Sequence, residues 1–262
     1  TLEKIKKIGQ GSFGVVYEVK DKLSEALFSA KISKFEYYNS LKKNNNVVNF
    51  IREVTILNKL QHPAIMKFIG YSPLNFDKVM KPVIVTELLK NGSLDVVINA
   101  EQKGLSHQQW NETKKLIHLY GIAHALQYMH SHDILHRDLK PGNVLLDDHL
   151  YPKLCDFGLS KDYLTTNEDC QRMNPTELIG SLVFIAPEIF EFERYSKASD
   201  VYAYSILIYQ LLTTKIPIEG SVITIARNVI NKYRPEIPNF LPPCYKQLIE
   251  DCWQHVPENR PS

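Results

Sequence analysis

The stretch ILHRDLKPGNVLL, Ile134 to Leu146, sets His136, Arg137, Asp138, Lys140 and Asn143 between apolar flanks. Charge buried without a partner is costly, so these groups are paired, solvent-facing or in chemical use. Asp138 and Asn143 are five residues apart, and the segment KLCDFGLS that follows presents Asp156 ahead of Phe157 and Gly158. Two such oxygen-bearing side chains, with an Asp from a nearby turn, can hold Mg²⁺, a hard cation that prefers oxygen ligands and bound phosphate. Taken alone, Asp156 reads more simply as part of a hydrated loop.

Near the N-terminus GQGSFGVV puts Gly9, Gly11, Gly14 and Val16 in the pattern G-x-G-x-x-G-x-V. Glycines let a backbone turn tightly and bring its N–H groups close to phosphate oxygens. By itself the pattern fits a glycine-tolerant hairpin equally well. A dinucleotide site needs a helix directly after the glycines. Here VVYEVK continues as a strand, so the glycines cap a β-hairpin, a flap over a nucleotide rather than a Rossmann turn. Lys31 ends the apolar strand ALFSAK, where a lone lysine is usually a solvated end. Glu53 changes that reading. It stands three residues after Phe50 and four before Leu57, on the apolar face of a helix. A carboxylate on a packed face wants a cation, and Lys31 is the candidate.

The elements that must position these groups follow from periodicity. EKIKKIG and GVVYEVK alternate, and ALFSAKIS follows a polar turn, so the first third reads as strands. YYNSLKKNNN is a polar break, and from Val47 to Leu60 the apolar Val47, Phe50, Ile51, Val54 and Leu57 recur at helical spacing. MKPVIVTELL is a further strand. Beyond Gly92 the pattern is helical: NETKKLIHLYGIAHALQYMHSH is apolar on most of its circumference, and another helix runs from Asp200 to Leu212. An α+β chain results, with a strand-rich lobe (about 1–86), a joint (about 87–92) and a helix-rich lobe (about 93–262).

The 262 residues suit one large domain or two coupled lobes, and the 44% hydrophobic share leaves ample core. Lys and Arg (31) exceed Asp and Glu (29) by 31 − 29 = 2, too little for a nucleic-acid binder. Cys155, Cys170, Cys244 and Cys252 form no C-x-x-C pair and no disulfide framework, which points to a reducing, cytoplasmic setting. The longest apolar run, VYAYSILIYQLL, is about half the ~20 residues of a membrane span. The start at Thr1 and the stop at ENRPS read as a domain cut from a longer protein, truncated at its C-terminus.

Taken in order, the glycine pattern, Lys31, Glu53, HRDLKPGN, DFG and APE (Ala186 to Glu188) form the protein-kinase signature set, and the chain resembles the eukaryotic protein kinases over nearly its whole length. The resemblance implies a two-lobed kinase fold that uses ATP with Mg²⁺, or Mn²⁺ in its place, to phosphorylate proteins. It implies that Lys31 holds the α/β-phosphates and pairs with Glu53, and that Asp138 orients the acceptor hydroxyl and takes its proton. Lys140 would steady the γ-phosphate, and Asn143 and Asp156 would hold the metal. Val16 and Leu145 would sandwich adenine, with Thr86 as gatekeeper and the backbone of Glu87 and Leu89 facing the base. Leu57, Phe68, His136 and Phe157 would stack as a spine, Asp200 would anchor the catalytic loop and Arg260 would pair with Glu188.

Lys140, two residues after Asp138, is the form of serine/threonine kinases, whereas NGSLDVVI, DVYAYSILIYQLLT and CWQHVPENRPS look like tyrosine kinases and the tyrosine-kinase-like group. The combination resembles a tyrosine-kinase-like serine/threonine kinase acting on protein Ser and Thr hydroxyls. The rivals are a pseudokinase scaffold, against which Lys31, Asp138 and Asp156 speak, and a tyrosine-specific kinase, which Lys140 disfavours. Ser29, Ser181 and Ser205 depart from the family's usual Ala, Thr and Gly without removing a catalytic group. Arg137 beside Asp138 implies an anion on the segment from Asp156 to Glu188, where Thr165, Thr166 and Thr176 are candidates. Glu177 reads as a weak permanent substitute or as a solvated loop residue.

Overall fold

The computed structural model describes residues 2–11, 14–34, 45–162, 182–192 and 195–262. Five antiparallel strands form the N-terminal sheet in the order β1-β2-β3-β5-β4: β1 (Leu2–Gln10), β2 (Gly14–Asp21), β3 (Leu27–Ser33), β4 (Phe68–Ser72) and β5 (Val83–Glu87). The β2–β3 turn is fastened by Asp21, whose carboxylate accepts from the Ser24 hydroxyl (2.8 Å) and amide (3.2 Å). Strand alternation divides the sheet into two faces. Val19, Ala30, Val83 and Val85 make a small outer core, while Ile84 joins the main core on the opposite face. Cross-strand pairing puts Val16 opposite Lys31 and Ser29 opposite Thr86.

The helix α1 (Asn45–Lys59) packs through Phe50, Ile56 and Leu57. Ile51 does not follow the expected stripe: it is 53% exposed, as is Val48 at 51%, because one residue turns the helix by about 100° and carries Ile51 off the flank that Phe50 buries. The C-terminal part is helical, with α2 (Leu94–Gln102), α3 (Glu112–Ser131), α4 (Pro187–Phe192), α5 (Lys197–Thr213), α6 (Val222–Ile230) and α7 (Pro243–Cys252). Short strands β6 (Ile134–Leu135), β7 (Val144–Leu146), β8 (Pro152–Leu154) and β9 (Lys161–Asp162) pair as β6–β9 and β7–β8.

The helix α5 is buried almost all round, as its composition requires. On α3, Leu119, Ile122, Leu126 and Met129 are buried, but Leu116 and Tyr120 face outward, so its apolar circumference is not wholly packed. Among the described residues no helix is long and apolar enough to cross a membrane.

Candidate active site

The glycine pattern forms the β1–β2 hairpin end, with Gly9 paired to Val16 and the Gly11 amide donating to the Gly14 carbonyl (2.9 Å). A Cβ on Gly14 would lie 2.5 Å from the Ile32 carbonyl oxygen, so β2 and β3 meet there only without a side chain. Among the described residues nothing lies within 4 Å of a Cβ built on Gly11, consistent with a backbone free to lie close to a ligand.

Lys31 and Glu53 are brought together as the helix spacing requires, with Nζ 2.8 Å from Oε1. The same ammonium lies 3.3 Å from Asp156 Oδ1, a contact across the cleft. Burial works against the lysine's charge, but the carboxylates of Glu53 and Asp156 outweigh it and raise its pKa above the ordinary value. Asp156 holds a left-handed backbone (φ 61°, ψ 68°), which aims its carboxylate into the cleft while Phe157 turns into the core at 1% exposure. The rings of His136 and Phe157 are 5.4 Å apart, Leu57 shares the hydrophobic cluster of Phe157, and Phe68 packs against it.

Asp138 accepts from Lys140 Nζ (2.7 and 3.0 Å) and from Asn143 Nδ2 (2.8 Å), which also donates to the Asp138 carbonyl (2.7 Å). With its amide nitrogen so engaged, Asn143 turns its oxygen away from Asp138. This amide oxygen and the Asp156 carboxylate suit a hard divalent cation in the chemistry of their donors.

From below, Asp200 accepts the backbone amides of His136 and Arg137, both at 2.9 Å. Arg137 is in the left-handed region (φ 69°), a strained turn that these bonds hold. Asp200 also meets His130 Nε2 at 2.9 Å. Burial opposes its ionisation, but the His130 bond and the surrounding donors prevail and lower its pKa. This charged floor explains how polar groups stand among apolar flanks in Ile134–Leu146.

Thr86 is buried at the end of the sheet, and Glu87 closes β5 with its amide donating to the Lys67 carbonyl (3.0 Å). The Glu87 side chain points to the back of this joint, taking the Lys67 amide (2.7 Å) and Lys153 Nζ (3.0 Å). Leu89 is half-buried in the following segment, and Leu145 lies on β7. That segment is tied to β7 and the residue after it, by Leu146 donating to the Gly92 carbonyl (3.0 Å) and Asn91 to the Asp147 carbonyl (2.7 Å). Arg260 and Glu188 form a bidentate pair, both bonds 2.8 Å. Thr165, Thr166, Thr176, Glu177 and Ser181 lie outside the described residues.

Sequence reasoning missed His130 and Lys153. The signal for His130 was its position in the last turn of α3, just ahead of the catalytic segment. Lys153, on the short strand β8, stands next to no such segment, and its partner Glu87 is 66 residues away.

Residues 2–262 match the model of the protein kinase domain. The chain belongs to the protein kinase family. It is 35% identical to a probable serine/threonine-protein kinase of Dictyostelium discoideum over 98% of this chain and 26% of that protein. It is 33% identical to the serine/threonine-protein kinase CTR1 of Arabidopsis thaliana, over 98% of this chain and 30% of that one. A dual specificity protein kinase of Dictyostelium discoideum, shkB, is 30% identical over 98% of this chain and 37% of its own length. The kinase domain thus spans about a quarter to a third of these relatives. CTR1 is of the tyrosine-kinase-like group, in keeping with the mixed signature of the C-terminal half. Family membership brings use of ATP and a divalent metal in general terms.

Proposed function

We propose that this kinase domain transfers the γ-phosphoryl of ATP to serine and threonine hydroxyls of protein substrates, with Mg²⁺ as the metal and Mn²⁺ as its substitute. The observation that carries the reading is the double engagement of Lys31, which meets Glu53 and Asp156 together. It joins the two sides of the cleft in the arrangement that phosphoryl transfer needs. Lys31 then holds the α- and β-phosphates, and Val16, Thr86, Leu145 and the backbone of Glu87 and Leu89 enclose the base. The amides of Gly9, Gly11 and Gly14 cover the phosphates. Asp138 orients the acceptor hydroxyl and takes its proton, Lys140 steadies the transferred group, and Asn143 and Asp156 hold the cation. A bound divalent cation supplies neutralisation of phosphate charge.

We divide the chain into an N-lobe of about 1–86, a hinge of about 87–92 and a C-lobe of about 93–262. Cys155, Cys244 and Cys252 are free thiols, which supports a reducing, cytoplasmic setting.

The test is radiolabelled ATP with an arrayed peptide library, followed by mass spectrometry of the products. Wild type is expected to give phosphoserine and phosphothreonine, and Lys31→Met and Asp138→Asn to give no product while remaining folded. Mainly phosphotyrosine would overturn the hydroxyl assignment. Undiminished turnover in either variant, with an unchanged melting curve, would overturn the roles.

A further inference from the structure

Behind α1, the connection through Gln61, His62 and Ala64 meets the outer face of α3 in a run of rings that the catalytic reading does not use. His62 Nε2 lies 2.8 Å from His124 Nδ1. The His62 ring stacks on Tyr128 (centroids 5.2 Å, 27°), and His124 stacks on Tyr120 (5.6 Å, 11°). Tyr128 also accepts the Gln61 amide through its hydroxyl (3.1 Å), and its ring abuts His132 (4.4 Å).

The protons in this pair can be assigned. The Ala64 amide donates to His62 Nδ1 (3.1 Å), so that nitrogen carries a lone pair. A neutral His62 therefore bears its proton on Nε2 and donates it to His124. His124 Nδ1 is then also a lone pair, and its own proton sits on Nε2. An added proton must go to His62 Nδ1, where it faces the Ala64 N–H, or to His124 Nδ1, where it faces the His62 N–H. Every singly protonated state loses one of the two bonds.

We propose that His62 and His124 form a proton-sensitive latch: both bonds stand only while both rings are neutral, a proton on His124 opening the tie between the connection behind α1 and α3, and a proton on His62 freeing the Ala64 amide within that connection. The consequence reaches the cleft because α1 carries Glu53, the partner of Lys31. The same connection is fastened to β8 by Met66 donating to the Leu154 carbonyl (2.9 Å) and Leu154 to the Ala64 carbonyl (2.8 Å), so release loosens α1 without detaching it.

The facing groups agree in sign. Burial first, then His124, then the Lys153 ammonium on β8 hold His62 below the ordinary histidine value of 6.5. Lys153 is itself paired with Glu87, Tyr120 and Tyr128 are on α3, and His132 directly follows it. A folded-state pKa below the unfolded one means that both bonds stand above pH 6.5 and that the Ala64 bond to His62 is lost as pH falls through the lowered value.

The test is amide hydrogen exchange on the 262-residue chain, as protection factors corrected for intrinsic rates, between about pH 7.5 and about pH 5.5. Ala64 is expected to lose about tenfold in protection across that range, while Leu146, bonded to Gly92 and to no histidine, keeps its own. His62→Asn supplies a side-chain oxygen that accepts the amide two residues on and does not titrate, so its exchange is expected not to depend on pH. The ring-carbon shifts of His62 provide a second reading: a midpoint below 6.5 in wild type that moves upward in His124→Phe. Constant Ala64 protection in wild type, an undiminished pH response in His62→Asn, or a His62 midpoint at or above 6.5 would each overturn the latch. None of these readouts requires phosphoryl transfer, so they stand apart from the assignment of activity.

Discussion

Replacing Arg260 with Met should cost the domain about 3–5 kcal/mol, because it removes one member of a buried ion pair and leaves the other. The Arg260 side chain is fully buried, and Glu188 is 10% exposed. Besides its two bonds to Glu188, the guanidinium donates to the carbonyls of Ala198 (2.9 Å), Gln254 (2.7 Å) and His255 (3.0 Å). In the variant, the Ser199 hydroxyl (2.9 Å) is the remaining partner that Glu188 has among these groups. At about 2–4 °C per kcal/mol for a domain of this size, the melting temperature falls on the order of 10 °C. The effect extends to the site, since Ser199 precedes Asp200, the residue that holds the His136 and Arg137 amides. Denaturant titration of wild type, Arg260→Met and the double variant Arg260→Met/Glu188→Leu is the assay. The double variant should recover part of the loss, because a charge left alone costs more than an apolar pair. A loss below about 1 kcal/mol in Arg260→Met would refute the reasoning, since that is the scale of a solvent-screened surface bridge.

His118 is wholly buried, and burial depresses its pKa from 6.5 to about 4, so its share of stability is present above pH 6.5 and disappears toward pH 4. Urea titrations should show that loss reaching about 3 kcal/mol, and His118→Gln should flatten it; an equal slope in the variant would reject the assignment. Burial, followed by the neighbouring Asp156 charge, raises the pKa of the Cys155 thiol, so it should alkylate far more slowly than exposed Cys244 at neutral pH, as read by peptide mass spectrometry. Comparable rates would contradict this inert-thiol reading. Gly14→Ala should destabilise the hairpin by about 1–3 kcal/mol, because its Cβ meets backbone rather than a flexible side chain, and an unchanged melting curve would show that β3 can yield.

The features legible in the sequence were those fixed over a few residues. The strand after the glycines decided the hairpin, and the spacing of Phe50, Glu53 and Leu57 put the carboxylate on the packed side of α1, where it meets Lys31. The same spacing argument overreached at Ile51 and at Leu116 and Tyr120, because an apolar residue on a helix flank is buried only if another element arrives to cover it. Contacts between distant segments left weaker traces. The bond between His130 and Asp200 spans 70 residues, and the one between Lys153 and Glu87 spans 66. Neither residue type nor periodicity says which of many histidines and lysines will find such a partner. Asp200 itself could be named only through resemblance, because an aspartate at the start of an apolar helix also reads as an ordinary charge at a helix N-terminus. What separates the two readings is burial, at 2% exposure, together with three donors converging on one carboxylate. The cost of sinking that charge is offset only when α3 and the catalytic segment both deliver their N–H groups to it. The strained Arg137 backbone and the Asp200 charge are therefore two halves of one arrangement, each tolerable because the other is there.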